Sequence, residues 1–315
     1  MSDFIHLTNK TEYSLSEGAL PIARISELCQ ALKMPAVGIT DTNNMFGALE
    51  FSEKVSSVGV QPIIGCNLKI KTPKNYLHEN VGDEDLHFFL NIFSKNEDGY
   101  KNLLNIISSA YMNHKENAYV DIEQLYKNKE GLLVLSGGNN SILKYSNGNS
   151  ITSQSASFVA DFKKEFSDNF YIEIQRIEGN DYRIDEEVIL NLAYDNNIPV
   201  VATNDVYFEG PDHFEAHDAL MCIEKKLFVS QKDRKRLSKN HYFKSQNEMQ
   251  ELFSDIPEAL FNTIEIAQRC SHRPKIKMPV LPSYDNDDSQ EKKLLRELSY
   301  NCLLYTSDAA DELLG

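Results

Sequence analysis

The chain has 315 residues, 41% of them apolar, enough for one large globular domain or two ordinary ones. Its 32 Lys and Arg against 47 Asp and Glu leave a net charge of −15, which argues against a chain that wraps nucleic acid by itself, because phosphate neutralisation needs a basic face. No apolar run reaches the roughly 18 residues of a membrane-spanning helix, and the opening Met1-Ser2-Asp3-Phe4 lacks the basic and apolar regions of a signal peptide, so a soluble, cytoplasmic protein is expected.

In chain order, strands are predicted at Phe4 to Leu7, Ala36 to Thr40, Pro62 to Ile64 continuing into Leu68 to Ile70, His87 to Phe93, Leu132 to Ser136, Tyr171 to Gln175 and Pro199 to Thr203. Helical spacing lies between them: Ile25, Leu28, Cys29 and Leu32 form one stripe, and Leu103, Leu104, Ile107 and Tyr111 another. Val188, Leu190, Leu192 and Ala193 follow the pattern more loosely. Strands alternating with helices predict βα units, a mostly parallel sheet and a closed or nearly closed barrel. The polar stretch from Asn139 to Ser155 reads as a surface loop. From about Gly210 the pattern turns helical, with a basic connection Lys232-Asp233-Arg234-Lys235-Arg236 that reads as a solvated loop. Arg273 to Asp288 reads as a linker, followed by a helix start at Ser289.

The five cysteines, Cys29, Cys66, Cys222, Cys270 and Cys302, are dispersed, odd in number and without a C-x-x-C, so neither a disulfide framework nor a cysteine zinc site is encoded. Polar residues at the C-terminal ends of strands are the usual site builders in βα folds. Here those ends offer Thr40-Asp41-Thr42, Cys66-Asn67, Ser136, Gln175 and Asn204-Asp205. Asp41 reads as the N-cap of a helix starting near Met45. Asn204-Asp205 suits a turn or a site equally. His213 and His217, four apart on a predicted helix, read as a solvated or packed face. Phosphate-loop, dinucleotide-loop and hydrolase-elbow motifs are missing.

The words Phe4-Ile-His-Leu7, Glu12-Tyr-Ser-Leu15, Met34-Pro-Ala-Val-Gly-Ile-Thr-Asp41, Phe46-Gly47 and Gln61-Pro-Ile-Ile-Gly-Cys66 open a longer series. Lys95-Asn-Glu-Asp-Gly-Tyr-Lys-Asn-Leu103, Pro199-Val-Val-Ala-Thr-Asn-Asp-Val206, Glu215-Ala-His-Asp218 and Pro257-Glu-Ala-Leu260 continue it. Taken together, from about residue 4 to 301, they resemble the N-terminal PHP (polymerase and histidinol phosphatase) domain of bacterial replicative DNA polymerase III alpha subunits. The resemblance implies an α/β fold of the PHP type, a distorted (β/α)7 barrel followed by a helical segment leading into the polymerase palm. It implies a PHP domain over residues 1–273, with the barrel to about 210 and a helical part over 211–273. Residues 274–301 would be the linker and the truncated start of the palm.

In metal-binding members of the family, strand-end His, Asp, Glu and Cys hold metal ions that activate water for phosphoester hydrolysis. Here the opening H-x-H pair falls on Thr8 and Lys10. The later His, Glu, Cys and His positions are Thr42, Asn67, Gly138 and Tyr207. Glu17 (Asp in the family), His87 and Asp205 survive. The resemblance therefore implies a vestigial cluster with no metal, no catalytic residue and no cofactor in this chain. Lys10 is expected to pair with Asp205 or Glu17 in place of the lost metal charge. Mg²⁺ would serve only a full-length polymerase, and DNA would be reached through its downstream domains. The implied role is a structural module docking the proofreading exonuclease (epsilon-like) subunit among the other holoenzyme subunits, without membrane contact. An active metal-dependent phosphoesterase or 3'-5' exonuclease is the alternative. Cys302 to Glu312 departs abruptly from the family pattern and resembles read-through of a sequencing adapter, so 302–315 is expected to be a non-native tail.

Overall fold

The computed structural model describes residues 4–76, 87–114, 118–138, 141, 143, 152–177, 186–231, 233–234, 236–279 and 288–311. They fall in two compact units, Met1–Lys275 and Ile276–Gly315. The second carries one long helix, α10 (Asp288–Asp311), which runs without a break across residues 301 and 302.

The first unit is built on six strands: β1 (Ala36–Thr42), β2 (Gln61–Lys71), β3 (His87–Ser94), β4 (Leu132–Leu135), β5 (Phe170–Gln175) and β6 (Val200–Thr203). They form one sheet in chain order, curled into a half-barrel. The helices α1 (Ile22–Ala31), α2 (Ala48–Ser57), α3 (Glu97–Asn113), α4 (Ile122–Lys127), α5 (Ser153–Phe166) and α6 (Glu186–Asp195) lie between them in sequence. Then come α7 (Phe214–Lys225), α8 (Gln246–Leu252) and α9 (Pro257–Arg269).

The open side of the half-barrel is bridged by the extended segment 4–10. Gly38 N donates to His6 O at 2.7 Å and Thr40 N to Asn9 O at 2.9 Å on one flank. Val206 N donates to Thr8 O and Lys10 N to Val206 O on the other. This is the place of the seventh predicted strand, but Phe4–Leu7 is not a regular strand. His6 and Asn9, three positions apart, pair with Gly38 and Thr40, two positions apart on β1, so the ladder slips, and Asn9 Nδ2 donates to Gly38 O at 2.8 Å.

Strand alternation divides the barrel wall cleanly. One parity faces the helices: Val37, Ile39, Ile64, Cys66, Leu68, Phe88, Leu90, Ile92, Val134, Ile172, Ile174, Val200 and Ala202 join the main core with α1 to α6. The other parity faces inward. At the N-terminal end of the parallel strands it is apolar: Ile5, Leu7, Ile63, Phe93, Leu133, Tyr171 and Val201 pack on Ile266, Ala267 and Cys270, with Ile266 and Ala267 on α9. That helix plugs the barrel floor, held by Thr263 Oγ1 accepting from Ile5 N at 3.0 Å and by Asn262 reaching Val200 O. At the other end the same parity is polar, and the candidate site is there.

Several sequence expectations are corrected. The sheet is mostly parallel, as expected, but β3 runs antiparallel to both β2 and β4. His87 starts β3 opposite Lys71, where β2 ends, so the chain turns back at the same end of the sheet instead of crossing over it. In α3 the buried stripe is Leu103, Ile106, Ile107 and Ala110, while Leu104 and Tyr111 are exposed. In α6 only Ile189 and Ala193 are buried. Ser153 and Ser155 are not loop but the first turn of α5, with the Thr152 hydroxyl accepting from Ser155 N. No helix among the described residues is long and apolar enough to cross a membrane.

Candidate functional site

Asp41, near the end of β1, is the hub of the chain's first turn. It does not cap α2, whose N-cap is Gly47. Its carboxylate instead accepts from Thr11 N (2.7 Å), Thr11 Oγ1 (2.8 Å) and Ser14 Oγ (2.6 Å). Three donors from one loop tie residues 11–17 over the barrel mouth. Ser14 Oγ also accepts from Thr42 N. His217 on α7 donates from Nε2 to Glu17 O at 2.6 Å, fixing the far end of the same loop. Burial holds the His217 ring below the usual histidine range, so it stays a neutral strut.

This arrangement brings Lys10, Thr42 and Glu17 into line. Lys10 Nζ donates to Thr42 Oγ1 at 3.1 Å, and that hydroxyl donates to Glu17 Oε2 at 2.6 Å. The expected direct ion pair is therefore not formed, because the Thr42 hydroxyl stands between the two charges. Lys10 also makes no ion pair with Asp205. Asp205 lies on the seam behind, its backbone in the left-handed region at φ 49°, its N–H on Thr8 Oγ1 and its carbonyl accepting from His241 Nδ1.

Lys10, Glu17, Thr42, Asn67 and Tyr207 line one cavity of about 190 Å³, together with Phe89, Met221, Lys225, Arg236 and Leu237. Burial, with the Asp205 and Glu17 carboxylates beside it, pushes the Tyr207 hydroxyl well above its ordinary 10.0. Two other predicted positions are elsewhere. Gly138 faces the Gln175 side chain, at φ 52°, where a Cβ would lie 2.3 Å from Gln175 Cδ. His87 packs its ring on Tyr119 at 5.1 Å, a ring that His114 also stacks on.

A polar belt runs round the barrel from this cavity. Asn67 Nδ2 donates to Asn91 Oδ1 at 2.8 Å, and Asn91 Nδ2 donates to Glu173 Oε2 at 2.9 Å. Glu173 also accepts from Gly137 N, Gln175 Nε2 and Thr203 Oγ1. Its carboxylate is buried with amide and hydroxyl donors and no cation within ion-pairing distance among the described residues. Burial pushes it up to about 6, against the hydrogen bonds that favour ionisation.

The outer wall is fixed by a charge cluster that sequence reading assigned to solvent. The Arg234 and Asp218 side chains are both buried and paired end on, through the two Nη atoms of the guanidinium. Arg236 adds a second guanidinium to Asp218 at 3.0 Å. Arg234 and Arg236 are therefore docked on α7, because Asp218 on its buried face needs a counter-charge; Lys232 and Lys235 lie outside the described residues. His213 and His217 do not act together: His213 is exposed beside Asp212, while His217 is buried.

The family model of the PHP domain matches residues 6–177. The chain belongs to the PHP domain family. It is 38% identical over 291 residues to the DNA polymerase III subunit alpha of Caulobacter vibrioides (strain NA1000 / CB15N), covering 92% of this chain and 25% of that one. To the same subunit of Rickettsia bellii (strain RML369-C) it is 33% identical over 309 residues, 98% of this chain and 26% of the relative. The chain thus spans about a quarter of the length of these relatives. Among solved structures, it is similar to a putative metal-dependent phosphoesterase from Bifidobacterium adolescentis, at 14% identity and TM-score 0.39, covering 64% of this chain and 86% of that one.

A PHP fold implies a metal cluster, and the donor set here does not fit one. No group of three or more His, Cys, Asp or Glu is close enough to hold an ion among the described residues. Of the described side chains lining the cavity, Glu17 alone is a carboxylate, and Lys10 adds an ammonium beside it. Sequence reading of the PHP words missed Glu173, Asn91 and Thr203. The signal was present, since Glu173 is a lone acid in the apolar run Phe170–Gln175, at the inward parity of Tyr171.

Proposed function

We propose that this chain is the PHP portion of a replicative DNA polymerase III alpha subunit, acting as a metal-free structural and docking module for the proofreading exonuclease subunit. The observation that carries the metal-free part is Lys10: a buried ammonium at a ligand position repels the cation that a PHP phosphoesterase needs. The relatives' name supports the polymerase assignment. On this reading nucleotidyl transfer, Mg²⁺, deoxynucleoside triphosphates and DNA belong to the rest of the alpha subunit, working in the cytoplasm with the other holoenzyme subunits. Holding the exonuclease beside the polymerase raises its effective concentration at the primer end without new catalytic chemistry. The net charge of −15 suits a platform that does not itself grip DNA.

Two measurements test the reading. Elemental analysis of the purified chain is expected to find substoichiometric zinc, manganese and iron. One or more ions per chain would instead favour an active metal-dependent phosphoesterase. Size-exclusion chromatography with light scattering is expected to show a one-to-one complex with the exonuclease subunit. Separate elution, for this chain and for the full-length alpha subunit alike, would remove the docking role.

A further inference from the structure

One stretch of the surface is both apolar and basic: the end of α7 and the loop that follows it, residues 223–231. The helix stops in a Schellman motif, with Leu227 N donating to Cys222 O at 2.9 Å, Lys226 N donating to Ile223 O, and Lys226 in the left-handed region at φ 53°. The loop then closes on itself. Gln231 N donates to Phe228 O at 3.0 Å, and Gln231 Oε1 accepts from Phe228 N at 2.8 Å. Arg234, whose side chain is buried on Asp218, also donates to Gln231 O and Val229 O. The loop backbone is thus tied to a buried ion pair, yet its apolar side chains stay in water. Ile223 and Phe228 are each 74% exposed, and Leu227 and Val229 are exposed as well.

Large apolar side chains scattered singly over a surface need no partner. Four of them on one helix end and its loop, carried by a backbone already held in place, make a prepared contact surface with little ordering cost on binding. The surrounding charge narrows what fits it. The stretch 223–239 holds seven Lys and Arg against two acids, a net of +5 in a chain of net −15. Arg234 is committed to Asp218, and Arg236 shares that carboxylate. Lys225 and Lys226 are exposed and form no ion pair among the described residues. Such a surface attracts negative charge and then offers apolar contact. Ile223, Leu227 and Val229 give no ring for a nucleobase to stack on, so a protein segment suits it better than a single-stranded nucleic acid.

We infer that the surface 223–231 docks an acidic protein segment that carries large apolar side chains. Ile223, Phe228 and Val229 meet the apolar anchors of that segment, and Lys225 and Lys226 meet its carboxylates. The inference deepens the docking role and rests on it, since on that reading the segment belongs to the exonuclease subunit.

The test is titration of the whole chain against the purified, fluorescently labelled exonuclease subunit, read by anisotropy at low and at physiological salt. The wild type is expected to bind, and to bind more weakly as salt rises, because exposed lysines are screened. Phe228→Ser should weaken binding by about tenfold or more, as the loss of an aromatic anchor does. The double variant Lys225→Glu/Lys226→Glu should weaken it by about tenfold at low salt and flatten the salt dependence. Phe261→Ser, at an exposed aromatic on α9 under the barrel floor, should leave the affinity unchanged. Undiminished binding by both loop variants overturns the inference and leaves the docking role standing on another face. No binding by the wild type, for this chain and for the full-length alpha subunit alike, overturns the docking role and this inference together. Labelled oligothymidylate bound by the wild type and released by the loop variants puts nucleic acid on the loop and overturns the inference. A dimer of this chain that Phe228→Ser dissociates puts a second copy there and overturns it as well.

Discussion

Lys10 and Glu17 face the same cavity yet do not touch, because the Thr42 hydroxyl accepts from the ammonium and donates to the carboxylate. One neutral group thus stands where a direct ion pair was expected. Removing the ammonium relieves a buried charge instead of breaking a salt bridge. Lys10→Met should therefore change the unfolding free energy by between nothing and a gain of about 1 kcal/mol. Urea denaturation measures it, and a loss of more than about 1 kcal/mol would show that Lys10 is a structural tie.

Asp41 accepts three hydrogen bonds from Thr11 and Ser14, all donors. In Asp41→Asn the new amide must meet at least one of those donors, which leaves a buried group unsatisfied at a cost of about 2 kcal/mol. Hydrogen exchange at the Thr11 amide should speed up with the loss of stability. An unchanged Thr11 rate would mean that the 11–17 loop is held from its far end, through His217.

Glu173 makes stability depend on pH. Burial raises its carboxyl from the ordinary 4.5 to about 6, so the folded state binds the proton more tightly than the unfolded chain. The stabilisation is fully present below 4.5 and is lost as pH rises through 6, a change of about 2 kcal/mol. Glu173→Gln cannot titrate. Between pH 4 and 8 the wild type should lose about 2 kcal/mol relative to that variant. A difference that stays flat across this range would show that the belt's donors fully cancel the effect of burial on Glu173.

Closure of the barrel depends on the close approach of segment 4–10 to β1. A Cβ on Gly38 would lie 2.3 Å from Leu7 O, a backbone atom that cannot swing aside. Gly38→Ala should cost about 3 kcal/mol by forcing that segment away. Gly59, at φ 79° with nothing within 4 Å of its added Cβ, is the comparison. Gly59→Ala should cost only about 1 kcal/mol, from backbone strain alone. Equal losses would place segment 4–10 outside the cooperative fold.

The strands from Ala36 to Thr203 were legible because their β-branched and apolar runs are long and bounded by turn residues. The resemblance of separate words to PHP domains was legible for the same reason: it needs only order along the chain. Asp41 misled because a cap is recognised from neighbours within one turn, whereas its partners come from 27 and 30 residues away. The basic run at Arg234 misled in the same manner, since the buried Asp218 that claims it lies 16 positions back, on α7.

By itself, then, the sequence determined which residues form the six strands from Ala36 to Thr203, since an apolar β-branched run bounded by turn residues is a property of consecutive positions. Only the tertiary structure decided what the inward polar residues do. Asn67, Asn91 and Glu173 are linked across separations of 24 and 82 positions by strand register and by the curl of the sheet. The same curl brings Lys10, Thr42 and Lys225 to one cavity. Such meetings depend on register, direction and curvature summed over the whole barrel, and no local pattern carries that sum.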